Sequence, residues 1–282
     1  MKNSLKVAKW EFKRNMTNKS FLISVFMTPI IIILFSFLPS MISGGSTSSG
    51  MASLLNARLL PGIVSGSIFL SVLLTGMLIF QSASQEKKEK VAEIILSSME
   101  PYELMQGKII GYFLLGVSQV FIWLFCALPF LAWKLGLDIL KYLILPKTIV
   151  LIFIALLGYF LFAALLVGLG ATVEDVTSSS NFQGTIMMLP FSFSLFILPV
   201  LEEPNGMAAT IGSYIPFTAT GTLIFRLSLL EVWPWEQIIG SICLLLLTSW
   251  ICMKVAGKIF KVGILMYGKN ASPREIWKWM RA

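Results

Sequence analysis

Histidine is absent from this chain, cysteine occurs only three times, and charged residues make up just 13% of the 282 positions. Each shortage excludes something. Without histidine there is no imidazole to act as general acid or base, and the commonest metal ligand is missing. Cys126, Cys243 and Cys252 lie in apolar runs without C-x-x-C spacing, so neither a zinc site nor a disulfide framework is indicated. No metal site is expected. No long apolar run holds a clustered carboxylate pair or a nucleophile–base spacing, which argues against an intramembrane enzyme. Soluble domains carry about 25% charged residues. A chain that is 56% hydrophobic with mean hydropathy +0.84 therefore reads as a membrane protein. Its net charge of +8 does not point to nucleic acid, because the cations flank apolar runs and do not form a patch on a soluble fold.

About 20 apolar residues cross the hydrocarbon core as a helix. Six segments qualify, near 21–42, 59–80, 109–133, 148–170, 185–201 and 238–259. The first is longer than a signal-peptide core and lacks a small-x-small cleavage site, so it is expected to stay as an anchor. With both termini in the cytoplasm, seventeen Lys and Arg residues lie inside and five (Arg58, Lys134, Lys141, Lys147 and Arg226) lie outside. That bias fixes the orientation. The segment 205–232 is apolar but holds Pro216, Arg226 and several hydroxyls, and a seventh crossing there would put the basic C-terminus outside. It reads as short helices that enter the outer leaflet and return, buried in protein because lipid does not tolerate broken backbone. An amphipathic surface loop is the alternative. Ionisable groups are essentially missing at depth, where Gln119, Tyr159, Ser192 and Ser194 are the main polar side chains. No carboxylate anchors an ion cage, so a hydrophobic or amphipathic cargo fits better than sodium.

Residues 1–19 form a separate unit before the six-span domain of 20–282. Leu5, Ala8, Phe12 and Met16 recur at helical spacing, with Lys6, Lys9 and Lys13 on another face and Trp10 beside the apolar stripe. This pattern predicts a helix on the inner leaflet, drawn also by anionic lipid, with a solvated start to the first span as the alternative. The loop 81–108 is the only long charged segment inside the apolar chain. Glu86 and Lys90 form an i,i+4 pair in the favourable order. Val91, Ile94 and Ile95 line one face, while Glu86, Glu89 and Glu93 fall on others. Pro101 suits the first position of a second helix, with Glu103 in its first turn. Gly107 allows close packing on re-entry. Two helices should meet at 99–100 in a bent cytoplasmic elbow, longer than a plain connector needs. The pairs Gly62/Gly66 and Gly107/Gly111 also permit close helix approach, read first as packing within the chain.

The run Gln85-Glu86-Lys87, then Glu93-Ile94-Ile95-Leu96-Ser97-Ser98, Pro101 and Gly107-Lys108, resembles the permease subunit of ABC-2-type exporters, closest to the NatB-like branch. Ile215-Pro216-Phe217-Thr218 and Phe225-Arg226-Leu227 are similar to that family's segment before its last span. The resemblance implies an all-α membrane protein of six transmembrane helices with an N-terminal interfacial helix, a cytoplasmic coupling helix in the loop after span two, and an outer-leaflet re-entrant segment. It also implies an ABC ATP-binding subunit as partner, with a second permease copy or a homologous permease completing a two-plus-two assembly in the plasma membrane. No GxxxxGK[ST] phosphate loop occurs in the chain, so ATP and Mg belong on the partner and no cofactor is expected here. NatB-like permeases typically carry a sizeable extracytoplasmic domain between spans one and two. Here the connection is the linker-like Ser43-Gly-Gly-Ser-Thr-Ser-Ser-Gly50, which reads as a joint replacing that domain.

The leading expectation is therefore a permease subunit that couples ATP hydrolysis on another chain to export, of sodium if the family analogy holds. On this expectation Glu86, Lys87, Glu89, Lys90, Val91, Glu93, Ile94, Ile95, Pro101, Gly107 and Lys108 serve coupling. Two further classes stay open: an ATP-independent channel or carrier, and a membrane sensor or immunity protein against toxic peptides.

Overall fold

A computed structural model of the chain describes residues 2–19, most of 21–30, 60–88, 97–135, 146–173 and 188–264, with Met266 and Glu275. Every regular element among them is helical. The elements are α1 (Lys2–Met16), α2 (Leu60–Lys88), α3 (Pro101–Leu135), α4 (Pro146–Gly170), a 3-10 helix (Leu189–Phe196), α5 (Ile197–Glu202), α6 (Met207–Tyr214), α7 (Pro216–Leu229) and α8 (Trp235–Gly263). Three of these begin on proline, which lacks the N–H that a first turn leaves unused. Among the described residues, three helices are long and apolar enough to cross a membrane: Pro101–Trp123, Pro146–Gly170 and Trp235–Gly263.

α4 is the centre. Fifteen of its 25 residues are buried, and it packs between α2 and α8 with α7 against its middle. Glycines set these approaches. A Cβ on Gly158 would lie 2.5 Å from Thr220 of α7, one on Gly170 2.7 Å from the Phe80 carbonyl of α2, and one on Gly168 3.0 Å from Ala256 of α8. Such small residues bring helix backbones together without a polar driving force.

Two features differ from the sequence reading. The helices on either side of the elbow run eight residues further than the apolar stretches, α2 to Lys88 and α3 from Pro101. Polar residues there stay helical because they pack against other elements. The expected fifth crossing, 185–201, is not one regular helix in its described part. It is the 3-10 turn Leu189–Phe196 followed by α5, and Pro190 and Pro199, which lack an N–H, interrupt the regular ladder. The first crossing beyond residue 30 and the Gly/Ser joint 43–50 lie outside the described residues.

The two ends of the bundle have different chemistry. One end, the elbow end, gathers the close of α2, the start of α3, and the closing turns of α4 and α8, with α1 laid over the start of α3. Ser84 donates to the Val173 carbonyl at 2.9 Å and Lys87 to the Thr172 carbonyl at 3.1 Å. A cation on the last carbonyls of α4 complements that helix's dipole. The opposite end holds the starts of α4 and α8 and the close of α7. Lys147 donates to the Glu231 carbonyl at 2.7 Å, and the Trp233 indole to the Leu227 carbonyl at 2.9 Å.

Candidate functional site

The elbow is where charge concentrates, and among its described residues Glu86, Lys87 and Lys108 are turned inward. Lys108 is wholly buried in α3. Its ammonium donates to Glu11 Oε1 at 2.6 Å, Ser82 Oγ at 2.6 Å and Glu86 Oε1 at 2.7 Å, so all three N–H groups are used. Arg14 Nη2 lies 2.7 Å from Glu11 Oε2 and donates to Ser82 Oγ at 2.9 Å and to the Tyr112 hydroxyl at 3.4 Å. Ser82 in turn donates to Glu11 Oε1 at 3.2 Å. Two carboxylates thus face two cations across three helices. Neither Glu11 Oε2 nor Glu86 Oε2 takes a hydrogen bond, but Glu11 Oε2 keeps the Arg14 ion pair, which leaves Glu86 the less satisfied carboxylate. Burial pushes its carboxyl above the usual carboxylate range, against the opposing pull of Lys108.

α1 reaches this cluster by lying in a glycine seat. A Cβ on Gly107 would fall 2.7 Å from the Ser4 carbonyl and 2.5 Å from Val7 Cβ, and one on Gly111 would fall 2.9 Å from the Ala8 carbonyl. Gly107/Gly111 therefore packs within the chain, as expected for such a pair. The α1 face that enters is Ser4, Val7, Ala8, Glu11 and Asn15, with Phe12 half-buried beside it. The expected stripe of Leu5, Ala8, Phe12 and Met16 is divided: Leu5 is 60% exposed and points outward with Trp10 and the exposed Lys6, Lys9 and Lys13, whereas Ala8 is buried against Gly111. The inward face is chosen by the glycine seat and by the partner of Glu11, and the apolar pattern alone does not determine it. Asn3 donates to Glu103 at 3.0 Å and Ser4 to Gln106 at 3.5 Å, extending the contact to the first turns of α3.

Glu86, Lys87 and Lys108 are all buried within the chain, so they support the elbow from inside. Pro101 opens α3, and the turn before it leaves Ser97, Ser98 and Glu100 exposed with Met99 packed on the core. Glu89, Lys90, Val91, Glu93, Ile94 and Ile95 lie outside the described residues. The residues missed by sequence reasoning are Glu11, Arg14, Ser82 and Tyr112. One signal was available: Glu11 is the single acidic residue before Glu86.

At the opposite end, Ile215 is the exposed joint between α6 and α7, and Pro216 opens α7. Phe217 packs half-buried on the core. Arg226 is buried and ties four pieces of chain together. It donates to the Pro204 carbonyl at 2.5 Å, Gln237 Oε1 at 2.7 Å, and Asn205 Oδ1 and Ser213 Oγ at 3.3 Å each. In the interior, Tyr159 donates to the Ile109 carbonyl at 2.7 Å and Ser71 to the Gly116 carbonyl at 2.9 Å beside buried Gln119. Among the described residues no cluster of His, Cys, Asp or Glu is arranged to hold a metal ion.

The fold and composition define a helical membrane protein with a charged, internally braced elbow. The family model described as "ABC-2 family transporter protein" matches residues 48–258, about three quarters of the chain. The chain belongs to that family, whose permeases are membrane subunits without catalytic activity that normally pair with an ATP-binding subunit. It is 28% identical over 201 residues to the uncharacterized protein MJ1024 of Methanocaldococcus jannaschii, covering 71% of this chain and 48% of that protein. It is 29% identical over 228 residues to the uncharacterized protein YhaP of Bacillus subtilis, covering 76% and 53% respectively. The chain spans about half the length of these relatives.

Proposed function

We propose that this chain is the permease subunit of an ATP-driven exporter of the NatB-like branch, receiving force at its elbow from a separate ATP-binding subunit that carries ATP and Mg. The observation that carries this reading is the family match together with an elbow whose two legs are braced from within. A lever must be stiff to pass on force, and the buried pairing of Glu11, Lys108 and Glu86 gives that stiffness. Because Glu86, Lys87 and Lys108 are used inside, contact with the partner falls to the segment between the legs: Glu89, Lys90 and Glu93 by charge, and Val91, Ile94 and Ile95 by apolar burial. ATP-driven closure would then move the helices as rigid bodies between two access states. A differential of about 5.5 kcal/mol suffices to swing such a pair from one extreme to the other.

In this reading both termini are cytoplasmic, the elbow end faces the cytoplasm, and α6–α7 enters the outer leaflet and returns at Ile215. Leu5, Trp10 and the exposed lysines of α1 meet anionic lipid at the inner surface. A second copy or a homologous permease completes the assembly. The cargo is a hydrophobic or amphipathic compound or peptide, with sodium the family-analogy alternative. Since each match covers only about half of the relative's length, we read 43–50 as the joint where an extracytoplasmic domain has been replaced. An identical Gly/Ser stretch in the native coding sequence would refute that part.

The decisive experiment is Glu93→Lys in the full chain. Recovery of the ATP-binding subunit from native membranes should fall, or its ATPase should no longer drive export. Assembly and transport equal to those of the parent chain would remove the coupling assignment. Transport by the purified chain in liposomes without ATP would favour a carrier instead.

A further inference from the structure

We propose that α1 is a moving part of the elbow, and that Glu11 is the positioning residue making the elbow's two legs and α1 travel as one body; this rests on the coupling reading above. The two legs are the last turns of α2 and the first turns of α3, and no regular hydrogen-bond ladder joins two packed helices. α1 supplies the tie. Toward the first leg, Arg14 and Glu11 hold Ser82, and Lys108 carries the link from Glu11 to Glu86. Toward the second leg, Asn3 holds Glu103, Ser4 meets Gln106, Glu11 holds Lys108, and Arg14 reaches Tyr112. Glu11 and Arg14 both touch the two legs directly, Glu11 through Ser82 and Lys108 and Arg14 through Ser82 and Tyr112, and of the two only Glu11 is buried and bonded to the buried Lys108.

Two independent features keep these contacts from parting during motion. The first is electrostatic. Glu11 is wholly buried, and drawing α1 away would take one of the two carboxylates from buried Lys108 and an acceptor from Ser82. Breaking a buried pair by removing one partner is far more costly than exchanging a surface pair. The second is steric. Gly107 and Gly111 admit the α1 backbone so closely that Ser4 and Ala8 carbonyls occupy the space a side chain would need. Close-packed elements of this kind shift as units and do not deform continuously. An inner-leaflet anchor requires only the outward residues Leu5, Lys6, Lys9, Trp10 and Lys13. It does not require a buried acid, so the inward chemistry of α1 calls for a separate role.

The test uses the full chain, with its three cysteines replaced by serine, copurified with its ATP-binding subunit and placed in nanodiscs of native lipid. Spin labels at Lys9→Cys with Lys258→Cys report α1 against α8, and labels at Glu100→Cys with Lys258→Cys report the elbow against α8. All three positions are exposed. On trapping with Mg-ATP and vanadate, both distances should change together. In Glu11→Ala the elbow pair should still change, while the change in the α1 pair falls to less than half; Glu11→Asp should restore it. An α1 distance that stays fixed while the elbow moves overturns the proposal, as does unaltered following in Glu11→Ala. If no ATP-binding subunit copurifies, or neither distance responds, the coupling reading itself fails and this proposal falls with it.

Discussion

Lys108 and Arg226 are both cations taken almost wholly out of solvent, at 0% and 1% exposure, yet the chain stabilises them in opposite ways. Lys108 faces two carboxylates within 2.7 Å, from α1 and α2. Arg226 faces four neutral oxygens from three segments: a carbonyl, two side-chain amides and a hydroxyl. Charge pairing in a low-dielectric interior is strong but unforgiving, because each partner removed leaves a bare charge behind. Dipole solvation is weaker per contact and leaves only neutral acceptors if the cation is lost. The elbow end is therefore built as a balanced ionic lock. The opposite end is built as a hydrogen-bonded hub that fixes where α6, α7 and α8 meet.

The largest effect should come from attacking the lock. Lys108→Met leaves Glu86 buried without its cation and Glu11 with Arg14 alone, and should cost about 3–5 kcal/mol, seen as a fall in thermal stability of the detergent-solubilised chain. Adding Glu11→Gln and Glu86→Gln to Lys108→Met should recover much of that loss, since the bare charges are then gone. If the triple variant is as unstable as the single one, packing and not charge holds the elbow together. Arg226→Met strands only neutral acceptors, and exposed Asn205 can rehydrate, so its cost should be smaller, about 2–3 kcal/mol. A larger loss for Arg226→Met than for Lys108→Met in the same assay would invert the comparison.

Between these two ends lies the glycine-mediated packing of α4. Gly158→Ala sets a methyl against the Thr220 side chain at 2.5 Å. Overpacking of this kind costs typically about 1–3 kcal/mol, and it should move α7 more than the elbow. Thr220→Ala should suppress it by removing the atoms in the way. Absence of suppression would mean that α7 already has room to slide along α4, and that Arg226 rather than this contact fixes its position.

How much of this was legible depends on how local the cause is. The apolar runs 148–170 and 238–259 reappear as α4 and α8 with ends shifted by a few residues, because a continuous run of apolar side chains is a local property. Pro101 and Pro216 mark helix starts for the same reason, since proline acts through its own missing N–H. The charge cluster was legible only in its α2 and α3 members. Glu11 meets Lys108 across 97 residues of chain, and no spacing rule connects positions so far apart. The 3-10 character at 189–196 was also hidden. Hydropathy measures whether a segment is apolar, and it does not register that Pro190 and Pro199 interrupt the hydrogen-bond ladder.

The smallest predicted effect bears on the orientation of α1, where pattern and structure disagree at one residue. Apolar spacing puts Leu5 and Ala8 on one stripe, whereas the structure turns Leu5 out at 60% exposure and buries Ala8 at 2% beside the glycine seat. Leu5→Ser should therefore change the thermal stability of the solubilised chain by no more than about 0.5 kcal/mol, as for surface positions away from special contacts. Val7→Ser, one residue pair away but buried against Gly107, should cost clearly more, because it trades packed methyls for a hydroxyl with no evident partner. The same Leu5→Ser change should still weaken binding of an isolated α1 peptide to anionic vesicles, where the outward face is the one that touches lipid. Equal destabilisation by Leu5→Ser and Val7→Ser would mean that α1 is rotated about its axis. The ionic lock would then have to be redrawn, since a helix turned to bury Leu5 carries Glu11 away from Lys108.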